Sequence, residues 1–79
     1  MTKEQEAMLD RVTALVKEAK MTMVKAQDKL AEAAEACKGT PLEDHLNSQW
    51  DAMEDLRFDI GKQLDRYAAR LREPEEVPA

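Results

Sequence analysis

The sequence has little of what lets a small protein build an independent core. Its 79 residues include one cysteine, one histidine, two glycines, three prolines and three aromatic residues. A single thiol, Cys37, cannot close an internal disulfide, and one Cys with one His is not a zinc ligand set. No metal or cofactor is therefore expected, and neither is assigned residues. No apolar run approaches the ~18 residues needed to cross a bilayer. The opening Met1-Thr2-Lys3-Glu4-Gln5-Glu6 also lacks the basic and apolar segments of a secretory signal. A cytoplasmic protein without membrane contact is the expectation. Positive charge is scarcer than negative, with 12 Lys and Arg against 17 Asp and Glu for a net charge of −5. Binding to a phosphate backbone depends on clustered Lys and Arg, so nucleic acid is not an expected partner.

What is present is helical. Ala, Glu, Lys, Leu and Arg supply 42 of the 79 residues, the composition of long helices and coiled coils. A chain this short forms at most one small domain. Leu, Ile, Val and Phe number only 14. That share is low enough to suggest disorder, but the apolar residues are strongly periodic, which predicts an ordered helical protein with a thin core.

Glycine and proline punctuate the chain at few points. Residues 3–38 contain neither, and Thr2 with Gln5 three residues later makes a capping box for a helix over about 3–38. Gly39 suits the left-handed position after a helix end. Thr40 is a good N-cap, Pro41 fits a first helical turn, and Glu43 completes Thr-x-x-Glu. A turn at 39–40 therefore separates the first helix from a second over about 41–72, which stops where Glu73 precedes Pro74. Arg66, Arg70 and Arg72 suit the negative pole of that helix. Residues 1–73 are read as the hairpin and 74–79 as a disordered tail. Helices of about 54 Å and 48 Å joined by so short a turn favour an antiparallel hairpin.

In the first helix, Leu9, Val12, Val16, Ala19, Met23, Ala26, Leu30, Ala33 and Cys37 advance by alternating three and four, an unbroken heptad seam. Met8, Leu15 and Ala36 widen it on one flank, and Met21 and Val24 add apolar surface elsewhere. The second helix carries Leu42, Leu46, Trp50, Met53, Leu56, Ile60, Leu64, Tyr67, Ala68 and Leu71. Gly61 interrupts it at about 1 kcal/mol relative to Ala, so it either permits close approach, the favoured reading, or tolerates the loss. Antiparallel pairing about the turn sets residues whose numbers sum to about 80 at one height. Lys29 is then level with Asp51, Lys25 with Asp55, Lys20 with Asp59, Glu18 with Lys62 and Asp10 with Arg70, which predicts a ladder of opposite charges.

Two helices cannot enclose stripes wider than one contact, and no staple compensates. The expected all-α architecture is an antiparallel two-helix hairpin that dimerises into a four-helix bundle. Leu9, Val12, Val16, Met23, Leu30, Met53, Leu56, Ile60, Leu64 and Leu71 form its core and dimer contacts.

Candidate binding residues lie elsewhere. Asp51, Asp55 and Asp59 recur at intervals of four with Glu54 beside them, and they are read either as a docking surface for a basic partner or as partners of Lys29, Lys25 and Lys20. Residues 40–79 hold ten acids and five bases, whereas residues 1–39 hold seven of each. Trp50 is read as an interface anchor or as a core residue near the loop. Phe58 falls off the main stripe, and the Met21 and Val24 flank offers adaptable apolar contact. Cys37 and His45 flank the turn without a third orienting group or a pocket, so no catalytic residue is assigned and the chain is not read as an enzyme. In length the hairpin resembles secreted Trp-x-Gly hairpins and type III needle subunits. Its loop, Lys-Gly-Thr-Pro, carries the turn motif of neither.

The expected function is protein binding. An acidic helical hairpin, dimerised with itself, would dock a partner protein through its helix surfaces as inhibitor, adaptor or regulator, roles that suit small modules carried by phages or mobile elements. A structural or assembly coiled-coil subunit is the first alternative, and a nucleic-acid mimic occupying a basic groove is the second.

Overall fold

The computed structural model describes residues 1–72, so the expected tail at 74–79 and the helix stop at Glu73 lie outside the described residues. Two helices, α1 at Lys3–Ala36 and α2 at Pro41–Arg72, pack against each other as an antiparallel hairpin, and the described residues include no strand. The α1 start is held as its sequence dictates. The Thr2 hydroxyl accepts from the Gln5 backbone N–H at 3.1 Å, and the Gln5 side chain accepts from the Thr2 N–H at 2.9 Å.

The connection is longer than expected, spanning residues 37–40 instead of 39–40. α1 ends at Ala36, two residues early: the Cys37 N–H still makes the α-helical bond to Ala33 O, but the Lys38 N–H bonds three residues back to Glu35 O, narrowing the last turn. Gly39 then takes φ +85°, the left-handed region where a side chain is strained. This folds Cys37 O back over Thr40, whose hydroxyl donates to it at 2.6 Å. The Glu43 carboxylate accepts from the Gly39 N–H at 3.2 Å. The Thr40 and Glu43 pair thus ties down the turn, and the reciprocal capping box expected there does not form.

Register follows from the turn. Gln27 Nε2 donates to Trp50 O at 3.2 Å, and Lys20 Nζ lies 2.8 Å from where a Cβ on Gly61 would sit. Both contacts join residues whose numbers sum to about 80. The group close to Gly61 is the flexible end of a lysine, so the close approach favoured from sequence is one of side chain to helix, not of two backbones.

The α1 seam is rotated relative to the expected one. Leu9 is buried, and Val16, Met23, Leu30 and Cys37 are half-buried, as one half of the heptad pattern requires. The other half is occupied by Lys20, Gln27 and Ala34, while Val12, Ala19 and Ala33 are exposed and Ala26 is half-buried. Alanine has little area to bury, whereas the long stems of Lys20 and Gln27 cover more of α2 and keep their polar ends satisfied or wet. From α2, Leu46, Trp50, Met53, Arg57, Ile60, Leu64 and Leu71 are half-buried and Ala68 is buried. Leu56, expected in the core, is exposed.

The charge ladder does not form. The ion pairs among the described residues, Lys29–Glu32 at 3.0 Å, Lys38–Glu35 at 3.9 Å and Arg57–Glu54, all lie within one helix. Equal height does not give a shared face. Lys25 falls two residues from both Met23 and Gln27, about 200° around the helix, so it points away from α2.

The molecule measures 63 × 25 × 9 Å along its principal axes, with a radius of gyration of 18.5 Å. A compact domain of this length would have about 12 Å. The hairpin is a slab one helix thick, so both broad faces reach solvent and no large side chain is fully buried.

Candidate functional site

The two faces of the slab can be assigned from one groove. Lys17, Met21 and Val24 of α1 line it together with Arg57, Gly61 and Asp65 of α2, which puts those flanks of the two helices on the same side. By helical periodicity the opposite flanks share the other side.

That other side carries little charge beside the seam. The row next to the seam reads Gln5, Val12, Ala19, Ala26 and Ala33 in α1 and Leu42, Gln49, Leu56, Gln63 and Arg70 in α2, so its one formal charge is Arg70 near the end of α2, where Arg66 and Arg70 line a shallow pocket with Gln63 and Tyr67. Met8, Leu15 and Tyr67 extend it. Leu15 is 52% exposed and Leu56 51%. Such a long strip of exposed apolar surface is uncommon on a monomer. The grooved side differs, with Asp10, Lys17 and Lys38 in the equivalent α1 row and Glu54 and Asp65 in α2.

The exposed area is large. The chain exposes 6558 Å², where a compact monomer of 9.0 kDa exposes about 4,900 Å². A standard protein interface covers about 800 Å² on each partner.

The candidate binding residues do not form one cluster. Trp50 sits half-buried on the seam beside Gln27, with its carbonyl accepting the Gln27 bond. Met21 and Phe58 are each 57% exposed, and Val24 is exposed near them. Asp51, Asp55 and Asp59 are exposed on α2 and form no ion pair among the described residues, so the lysine pairing expected for them is absent. Cys37 Sγ donates to Ala34 O at 3.6 Å, and His45 is exposed. The described residues contain no group of three or more His, Cys, Asp or Glu that could hold a metal ion, and no helix long and apolar enough to cross a membrane.

Sequence reasoning missed Gln27 and Arg57, and it set Lys20 against Asp59 instead of in the seam beside Gly61. Gln27 is 3% exposed and pins the register of the pair. Arg57 bonds to Glu54 on its own helix and lies over the Phe58 ring at 5.3 Å from its centroid. The available signal was the seven-residue spacing of Lys20, Gln27 and Ala34, which runs parallel to the alanine row one residue away. Comparison of the chain with protein-family models, curated proteins and solved structures finds no match.

Proposed function

We propose that this chain is a non-catalytic, cytoplasmic protein-interaction module whose hairpins pair through their alanine-rich faces into a four-helix bundle. The remaining helix surfaces bind another protein, which the module blocks, bridges or regulates. The observation that carries this reading is the apolar strip along both helices, free of formal charge until Arg70. A hairpin contact alone leaves Leu15 and Leu56 wet, and an isologous partner offers the same strip in return. The exposed area exceeds that of a compact monomer by more than such a pairing removes from water.

The candidate anchors for the partner protein are Phe58, Met21 and Val24, with Trp50 at the seam. Asp51, Asp55 and Asp59 are solvated, and they tune association rate and partner choice. The test is a pull-down from the native host with the full chain as bait, repeated with Met21→Ser and Phe58→Ser together. Specific capture that the double variant loses supports the module. Capture that survives it places the contact elsewhere.

A second reading, an assembly subunit, is favoured by one observation: exposed apolar residues occur on both broad faces, which permits open-ended stacking. Light scattering over a concentration series separates the two, since the module stops at a fixed dimer and the assembly subunit keeps growing.

A further inference from the structure

The grooved face has a chemistry that the net charge of the chain conceals. Lys17, Lys20 and Asp65 line it, and no ion pair joins either lysine to a carboxylate among the described residues. Lys20 is nevertheless half-buried, its ammonium lying over the bare backbone of Gly61. Arg57 contributes a guanidinium that Glu54 balances, but its Nε is shielded from water and has no acceptor. Around these cations are apolar side chains: Val24 and Leu64 in the groove, Met21 on one rim and Phe58 beside Arg57. With Arg57 balanced by Glu54, the groove keeps two ammonium groups against the single carboxylate of Asp65, and this surplus beside apolar surface attracts an anion.

We infer that this groove docks an acidic amphipathic helix of another protein. The valley between two antiparallel helices accepts a third helix by ridge-into-groove packing. Apolar residues of that helix at three and four spacing meet Met21, Val24 and Phe58, and a Glu or Asp one turn away reaches Lys17 and Lys20. The inference rests on the interaction-module reading and narrows its partner. In this groove the recognised chemistry is acidic, although the exposed aspartates of α2 alone would suggest a basic one.

The test uses the full chain and three synthetic 18-residue helical peptides. One has Leu at three and four spacing on an Ala background with Glu flanking each Leu. The second replaces each Glu with Gln, and the third replaces each with Lys. Calorimetric titration is expected to give the Glu peptide a Kd on the order of 10–100 µM, the Gln peptide about fivefold weaker binding, and the Lys peptide no tighter binding than the Gln one. Lys17→Gln with Lys20→Gln removes the preference for Glu over Gln, with helicity checked by circular dichroism. Met21→Ser, a surface change, weakens both of those peptides. Equal binding of the Glu and Gln peptides, tighter binding of the Lys peptide, or an unchanged preference in the double lysine variant overturns the inference. Sedimentation of the same samples separates the two readings. A monomer that still prefers the Glu peptide defeats the dimer and leaves the groove standing. Growth beyond the dimer without peptide, abolished by the lysine changes, makes a second copy the occupant and overturns a foreign partner.

Discussion

The two broad faces of this hairpin are built from the same helices and differ in almost every respect. One is rich in alanine, with Arg70 as the one formal charge in the row beside the seam. The other is grooved, with lysines and an arginine set among Met21, Val24, Leu64 and Phe58. The contrast arises because α1 has an apolar stripe wider than one helix contact. Leu9, Val16, Met23 and Leu30 serve the hairpin seam, and most of the surplus falls to one side as Val12, Leu15, Ala19, Ala26 and Ala33, with Met21 and Val24 on the other. Small residues on that side let another helix approach closely. Long polar stems on the opposite side of the seam, Lys20 and Gln27, complete the contact with α2.

Substitutions that treat the faces alike should give unlike results. The largest effect is expected from Leu15→Asp combined with Leu56→Asp, which buries unpaired charge in the proposed dimer and weakens association by about 4 kcal/mol, near a thousandfold. The matched pair Met21→Asp and Phe58→Asp on the grooved face should change the sedimentation equilibrium by less than about 0.5 kcal/mol. Similar losses from both pairs would erase the distinction.

Leu9 belongs to the seam and to neither face, so Leu9→Ala should cost about 2–3 kcal/mol in urea unfolding. Gly61→Ala should act in the opposite direction. An added Cβ meets only the movable end of Lys20, and the gain in helix propensity is about 0.5–1 kcal/mol, read as a higher thermal midpoint. The smallest effect is expected from Asp51, Asp55 and Asp59 changed together to Asn. No ion pair is lost and repulsion at four-residue spacing is relieved, so stability should rise by no more than about 0.5 kcal/mol.

Much of the architecture was legible in the sequence because it depends on local chemistry. Thr2 with Gln5, Gly39 and Pro41 mark helix ends by rules that act within four residues. The register near a sum of 80 then follows from the turn. Rotation of each helix about its own axis was less legible. Periodicity showed a wide stripe on α1 but not which edge faces α2, so the alanine row was placed in the seam that Lys20 and Gln27 occupy. The charge ladder failed for the same reason, since it used height along the hairpin and ignored angle around the helix. The groove escaped notice because its cations are sparse in sequence and gather only when α1 and α2 are side by side.

Sedimentation equilibrium of the full chain between about 1 and 100 µM, paired with circular dichroism, tests most directly whether a second copy covers the alanine-rich face. The expected result is a species of about 18 kDa that is helical when paired and loses helicity as dilution separates it. A single chain of 9.0 kDa that stays fully helical across the range, with Leu15 and Leu56 in water, would contradict it.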